Sequence, residues 1–192
     1  VRVSAARPAG AAHFAIQPYP QHLVESWAWQ GEAITLRPIR PEDEAQHRAF
    51  LEQLDPEDIR LRVFYSRRHI EHSELARLTQ IDYAREMAFI ALAADADGQM
   101  QTLGVVRAVT DPDNVEAEFG LIVRSNLKGS GLGLLLLQKM ITYLRSQGTQ
   151  RLVATVLDYN ERMLGLARQL GFELEGLGTG EAGVRDIRLE LT

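Results

Sequence analysis

Apolar residues follow two kinds of spacing along the chain from Ile34 onward, and these spacings predict its strands and helices. Alternating or continuous apolar runs predict strands at residues 34–38, 87–94, 102–110, 115–124, 151–157, 172–175 and 184–191. Helical spacing and capping residues predict helices at residues 41–54, 56–64, 70–81, 131–147 and 160–170. This order of elements predicts an α/β (mixed α+β) fold, with one mixed sheet and helices on both of its faces.

Residues 1–31 lack this regularity and are predicted to form a linker or arm ahead of a domain at residues 32–192. The first fifteen residues are rich in Ala, Arg, Gly and Pro, and Pro18-Tyr19-Pro20 is stiff and extended. Trp27 and Trp29 are expected to cover the edge of the domain. A chain that opens on Val rather than Met is expected to be a fragment or a processed product.

Composition excludes several classes of function. The 192 residues include no cysteine, which excludes disulfides, thiolate metal sites and a cysteine nucleophile. The formal net charge of −5 argues against a general nucleic-acid partner, because such binding needs clustered Lys and Arg. No apolar run approaches the roughly 18 residues that a membrane helix needs. We therefore expect a cytoplasmic protein that binds neither membranes nor nucleic acid.

A glycine-rich stretch from Lys128 to Gly133 lies between a predicted strand and a predicted helix. Glycine lets the backbone approach a ligand closely, and the free N–H groups of the first helical turn favour an anion. A P-loop is excluded because the lysine precedes the glycines, and the spacing also differs from the dinucleotide fingerprint. The stretch predicts a cradle for a pyrophosphate, with tight packing of a turn as the alternative.

Two motifs carry a resemblance to a known family. Lys128-Gly-Ser-Gly-Leu-Gly133 resembles the Arg/Gln-x-x-Gly-x-Gly/Ala signature of the GNAT N-acetyltransferases, and the segment from Asn160 to Gly171-Phe172 resembles their Asn-helix-Gly-Phe segment. The resemblance implies a GNAT fold with a mostly antiparallel sheet of about seven strands, and acetyl-CoA as cofactor. It also implies a set of cofactor-binding residues, namely Ile122, Val123, Lys128, Gly129, Ser130, Gly131, Leu132, Gly133 and Asn160.

In that resemblance Ile122 and Val123 lend backbone groups to the pantetheine arm, on a strand that splays away from its neighbour. Asn160 helps to hold the cofactor, and it is also a plausible helix N-cap. A narrower resemblance to bacterial protein lysine acetyltransferases rests on several segments, among them Pro18-Tyr19-Pro20 and residues 36–43, 60–64 and 82–89. It implies fusion to a synthetase-like region and a lysine of an acyl-CoA synthetase as substrate.

Acetyl transfer to lysine needs a neutral amine, although free lysine has a pKa of about 10.4, so a base must take the proton. Glu116 and Glu118 share one face of a predicted strand. Glu118 lies deeper in the strand and matches the general-base glutamate of the family, with a sheet-surface salt bridge as the alternative. The backbone N–H of Val123 is expected to polarise the thioester oxygen. The position of the family's tyrosine acid is Ala167 here, so the acid is unassigned, and Tyr159 is expected to point elsewhere.

The remaining candidates are weaker. The five histidines show no metal spacing and are expected at the surface. Arg60, Arg62, Arg67 and Arg68 form a basic cluster, which is either a solvated helix face or a contact with a partner or phosphate. Asp82 and Glu86 are expected either to line the acceptor cleft or to be ordinary surface acids. Two further functions stay open: acetylation of a small amine, and a non-catalytic domain that senses acyl-CoA.

Overall fold

The computed structural model describes residues 17–58, 72–175 and 183–192, and in them one sheet runs through the whole molecule. Its eight strands follow the order β1-β2-β3-β4-β5-β6-β8-β7. All neighbouring pairs are antiparallel except β5 and β6. The strands are β1 (Glu25–Trp29), β2 (Glu32–Pro38), β3 (Glu86–Ala94), β4 (Met100–Thr110), β5 (Glu116–Val123), β6 (Arg151–Leu157), β7 (Glu173–Leu174) and β8 (Val184–Glu190).

Four α-helices lie entirely in the described part of the chain, two on each face of the sheet, and residues 56–58 begin a further helical segment. They are α1 (Glu44–Glu52), α2 (His72–Thr79), α3 (Leu132–Ser146) and α4 (Glu161–Gln169). Gly148 and Gly171 follow the ends of α3 and α4 with φ of 75° and 84°, the left-handed conformation in which glycine commonly ends a helix. None of these described helices has the length and apolar character that crossing a membrane requires.

The mixed fold with helices on both faces is confirmed, but the sheet has one more strand than the seven expected. Glu25–Trp29, within the stretch predicted as an arm, pairs with β2 from Glu25↔Leu36 to Trp29↔Glu32. Gln30 and Gly31 close this hairpin with φ of 50° and 83°, as a tight two-residue turn requires. The strand was missed because an edge strand exposed on both sides has no apolar alternation.

Some predictions fall on residues outside the described ranges. These are the arm at residues 1–16, most of the predicted helix at 56–64 together with the start of the next one, and part of the glycine-rich loop before β8. The basic cluster Arg60, Arg62, Arg67 and Arg68 lies there too. The prediction of an arm ahead of the domain therefore stays a prediction for residues 1–16.

The strands β3 to β5 carry apolar side chains on both faces, which explains the helix on either side. The larger core lies between the sheet and the helices α3 and α4, and it includes Phe89, Phe119 and Leu136. The smaller core lies under α1, where Phe50 packs with Ile90 and other residues of β3 to β5. Residues of β5 pack in both cores, so the strand is fixed from both faces of the sheet.

The single parallel pair sets up the functional site. Helix α3 crosses from the end of β5 to the start of β6, which makes these two strands parallel. They pair only from Glu116↔Arg151 to Glu118↔Val153. Beyond that point β6 continues to pair with β8 as far as Leu157↔Val184, while β5 continues along β4 to Val123. The two strands therefore part, and a wedge opens between them.

Candidate active site

A cavity of about 920 Å³ occupies the wedge between β5 and β6 and reaches the first turns of α3 and α4. One wall is the outer half of β5, and the other is formed by residues 154–156 of β6 and by α4. The floor is the glycine-rich stretch. Of the residues that the sequence singled out for cofactor binding, all but Leu132 line this cavity, namely Ile122, Val123, Lys128, Gly129, Ser130, Gly131, Gly133 and Asn160.

The glycine-rich stretch has the geometry of an anion site. Gly129 and Gly131 have φ of 77° and 85°, and a Cβ added to either would meet no atom within 4 Å, so open space faces them. Helix α3 begins at Leu132, and its first N–H groups have no acceptor within the helix. The Ser130 hydroxyl is buried without a hydrogen-bond partner in the described residues. Unpaired donors around an open space fit a diphosphate.

Leu132, the remaining residue of the expected set, does not present its side chain to the cavity. It is fully buried in the core beneath α3, and only its backbone amide belongs to the first helical turn. The reason is the spacing of a helix, which turns every third or fourth residue to the same face. Leu132 therefore lies on the same inward face as Leu136, while Gly133 lies on the cavity side.

The outer half of β5 directs alternate backbone groups into the wedge. The Arg124 amide donates to the Leu103 carbonyl at 2.9 Å. Because hydrogen bonding alternates along an antiparallel pair, the backbone groups of Ile122 point toward β4, and those of Val123 point toward the open side. Val123 thus offers a free amide to the cavity. The same alternation turns the backbone groups of Ile122 toward β4, and its side chain is buried, so its expected contact with the pantetheine arm stays a prediction.

Lys128 is held by an ion pair rather than extending freely as a point charge. Its ammonium contacts the carboxylate of Asp58, whose side chain is only 4% exposed. The Ser125 hydroxyl donates to the same carboxylate at 2.5 Å, and the Asp55 amide donates to Ser125 Oγ at 2.9 Å. The segment after α1 is thereby attached to the cradle. Lys128 and Asp58 both line the cavity.

The start of α4 contributes Asn160 and Tyr159. Asn160 Oδ1 accepts a hydrogen bond from the Met163 amide at 3.1 Å, so Asn160 is the N-cap of the helix and also a cavity residue. Tyr159 lines the cavity and is 52% exposed, although it was expected to point elsewhere. Ala167 is fully buried in the core, on the opposite face of α4 from the cavity residue Gly165.

Glu118 lies where β5 and β6 begin to part, on the face of the sheet opposite α3. Its side chain is exposed, and among the described residues its carboxylate has no hydrogen bond or ion pair. Val109 and Val153 flank it on the neighbouring strands. Glu116, two residues earlier, faces Arg151 Nε at 3.4 Å. Glu118 is therefore the carboxylate of this pair that is available to a second substrate.

A shallow polar basin of about 430 Å³ surrounds Glu118 on this face. Arg188 at its rim contacts three carboxylates, those of Glu173, Glu175 and Glu190, at 3.2–3.4 Å. The basin is separate from the cofactor cavity but shares Ala154 and Thr155 of β6 with it. The two spaces thus meet at the point where the strands part.

Several weaker candidates are structural residues. Glu86 forms an ion pair with Arg107. Burial lowers the pKa of Arg107, and the Glu86 carboxylate opposes this effect. Asp82 accepts a hydrogen bond from the Ala84 amide at 3.0 Å. His47 is buried beside Phe50, so the expectation that the histidines lie at the surface is wrong for this one. In the described ranges no three His, Asp or Glu side chains are grouped as metal ligands would be.

Two residues that contact the cradle were not identified from the sequence. Trp29 Nε1 donates to the Ser130 carbonyl at 3.0 Å, and Asp58 pairs with Lys128. Both come from segments about 70 to 100 residues earlier in the chain. No local sequence pattern marks either residue, because several strands of the sheet lie between it and its partner along the chain.

Comparison with known proteins shows the family. Residues 55–172 match the model of the acetyltransferase (GNAT) family. An acetyltransferase of Pseudomonas aeruginosa is 28% identical over 151 residues, which is 79% of this chain and 80% of that protein. An L-methionine sulfoximine/L-methionine sulfone acetyltransferase of the same species is 42% identical over 59 residues, 31% of this chain and 34% of that protein.

Solved structures share the fold. The GNAT domain of S. lividans PAT superposes with a TM-score of 0.79 at 23% identity, over 90% of this chain and 99% of that one. The putative acetyltransferase yncA from Salmonella typhimurium, solved with its cofactor acetyl-CoA, has a TM-score of 0.65 at 18% identity, over 83% and 94% of the two chains. The chain belongs to the GNAT acetyltransferase family and is an N-acetyltransferase that uses acetyl-CoA.

Proposed function

We propose that this enzyme transfers acetyl from acetyl-CoA to a lysine side chain of a protein, with an acyl-CoA synthetase as the substrate. The observation that carries the proposal is the exposed position of Glu118 on an open face of the sheet. The apolar residues of α1 pack against β3, β4 and Ile122, whereas the polar face of β6 and β8 carries no described helix. A lysine on the surface of a folded protein can reach such a face.

The cofactor would lie in the cavity between β5 and β6. Its diphosphate fits the free amides and the Ser130 hydroxyl at the start of α3, and its pantetheine arm fits the wall formed by Leu121 and Val123. Acetyl-CoA supplies an activated acetyl group when it is bound. The Val123 amide, which points into the wedge, would donate to the thioester oxygen as charge develops there.

Glu118 would act as the general base. Only a small fraction of lysine side chains is uncharged at neutral pH, and the neutral amine is the nucleophile. The carboxylate of Glu118 would accept the proton, directly or through a water, as the amine attacks the thioester carbonyl. The carbon–sulfur bond would then break, so that coenzyme A leaves as the second product. Its lack of an ion-pair partner matters, because a carboxylate already bound to a cation is a weaker proton acceptor. Glu116, which faces Arg151, lacks that freedom.

A second candidate function is acetylation of a small amine. It is favoured by the stretch of 59 residues that is 42% identical to an L-methionine sulfoximine/L-methionine sulfone acetyltransferase. A small acceptor would need the polar basin around Glu118 to enclose it, and the carboxylates there would bind its ammonium group.

The test compares acceptors and bases in one assay with labelled acetyl-CoA. The acceptors are a folded acyl-CoA synthetase, L-methionine sulfone and a free polyamine. We expect label on a lysine of the synthetase, and a Glu118→Gln rate lower by about 100- to 10,000-fold. Glu116→Gln is the matched control on the same face and should change the rate less than a few-fold. Faster turnover of a small amine would favour the second function, and full activity of Glu118→Gln would exclude Glu118 as the base.

A further inference from the structure

The edge strand β1 contacts the cradle through the side chain of Trp29. Trp29 is half-buried, packs against the core under α3, and donates its indole N–H to the Ser130 carbonyl at 3.0 Å. Trp29 lies 101 residues before Ser130 and outside residues 55–172, which match the family model. Strand β1 pairs only with β2, so it is not needed to close the sheet.

Strand β1 is fixed to α3 at a second point. Lys139 in the middle of α3 is 7% exposed and forms an ion pair with Glu25 at 3.1 Å. Its ammonium also lies 4.8 Å from the centre of the Phe89 ring. Glu25 and Trp29 are four residues apart, about 13 Å along a strand. Two attachments at this separation hold β1 against α3, and this fixes the direction from which Trp29 reaches the cradle.

The contact determines the orientation of one peptide group. The Ser130 carbonyl and the Gly131 N–H belong to the same planar peptide, which is trans, so they point in opposite directions. Trp29 binds the carbonyl from the core side, and Gly131 lines the cavity. Glycines at 129 and 131 leave this peptide little restraint of its own. The indole N–H therefore directs the Gly131 amide into the cavity and polarises it as a donor.

We propose that Trp29 is a positioning residue for the diphosphate of acetyl-CoA, acting through the peptide between Ser130 and Gly131. The proposal rests on the proposed location of the diphosphate at the cradle. It assigns a role in cofactor recognition to the N-terminal hairpin, whose residues precede the segment that the family model covers. Acyl donors that lack a diphosphate should gain nothing from Trp29.

The chain offers a matched control for this role. Trp27 stands two residues earlier on the same strand, is 36% exposed, and donates its indole N–H to Glu25 at 2.7 Å instead of to the cradle. The variants Trp29→Phe and Trp27→Phe each keep an aromatic ring and each remove one indole N–H. They differ in whether that N–H reaches Ser130.

Calorimetry on the full chain measures the dissociation constants of CoA, dephospho-CoA and pantetheine. We expect Trp29→Phe to weaken CoA and dephospho-CoA alike by about 3- to 10-fold, the effect of one hydrogen bond, and to leave pantetheine unchanged. Trp27→Phe should leave all three within twofold. Equal dissociation constants for CoA in the two variants would overturn the proposal, and so would an equal loss for pantetheine, which indicates a general structural effect.

Two further measurements separate the possible failures. Trp27→Phe leaves Trp29 as the only tryptophan of the two in the chain, so its emission should shift on addition of CoA and not of pantetheine, whether or not Trp29→Phe folds. Gly131→Asp places a carboxylate in open space at the cradle. If that variant binds CoA normally, the diphosphate lies elsewhere and the proposed site fails. If it loses CoA while Trp29→Phe does not, only the role of Trp29 is refuted.

Discussion

Gly104 determines how closely α3 packs on the sheet, and replacing it tests the packing that positions the cradle. It lies in β4 beside a bulge and opposite Val123. A Cβ at this position would lie 3.0 Å from Leu136 Cδ1, 3.2 Å from the Ile122 carbonyl oxygen and 3.3 Å from Val123 Cγ2. Gly165 in α4 is the matched control, because it is exposed and a Cβ there meets nothing within 4 Å.

The expected sizes follow from these contacts. For Gly104→Ala, overpacking costs about 1–3 kcal/mol, and the lower chain entropy of alanine offsets about 0.5–1 kcal/mol. Leucine side chains can move, but the Ile122 carbonyl is part of the sheet, so we expect a net loss of about 1–2 kcal/mol. Gly165→Ala lies inside a helix with normal φ and should gain about 1 kcal/mol.

Urea unfolding of both variants without ligand measures the difference, and thermal melting supports it. The free energy of unfolding should fall for Gly104→Ala and rise for Gly165→Ala, which corresponds to opposite shifts in Tm of about 2–8 °C and 2–4 °C. Gly104→Ala should also weaken CoA binding, because a shift of α3 that relieves the contact with Leu136 also moves the first turn of that helix. A Gly104→Ala protein as stable as the original would refute the argument that close approach requires glycine here.

Three further predictions concern the cofactor site and its surroundings. Lys128→Met should lower the free energy of unfolding in urea by about 1–3 kcal/mol, because it leaves the buried Asp58 carboxylate unpaired, and adding Asp58→Asn should restore most of it; a double variant no more stable than Lys128→Met would contradict this. Asn160→Ala should lower the free energy of unfolding by about 1 kcal/mol through the lost N-cap. Asn160→Asp should keep this stability but weaken CoA binding by repelling the diphosphate, and equal stabilities of the two variants would exclude the cap. Burial, aided by Tyr19, raises the pKa of Tyr83 to about 12 from 10.0. The folded state keeps this proton where the unfolded chain loses it, so the stability gained is present below pH 10 and lost between pH 10 and 12, and urea titrations should show a flatter profile for Tyr83→Phe.

The sequence by itself determined the elements that depend on interactions between residues close together in the chain. Seven strands, the long helix α3 and the helix α4 follow from apolar spacing, and the ends of the helices follow from Gly148, Gly171 and Asn160. The cradle could also be predicted from local sequence, since its glycines directly precede the helix that begins there. Short-range patterns succeed here because the free energy of a turn or a cap depends on a few adjacent residues.

The tertiary structure alone decided which distant groups meet at that cradle. The pairing of Lys128 with Asp58 and of Trp29 with Ser130, and the turning of the Ile122 backbone toward β4, all depend on the order of strands in the sheet. An edge strand such as β1 lacks an alternating buried face, so its sequence does not predict it. The physical reason is that the two side-chain contacts join segments about 70 and 101 residues apart, and the spacing of apolar residues along a segment carries no information on such distant partners.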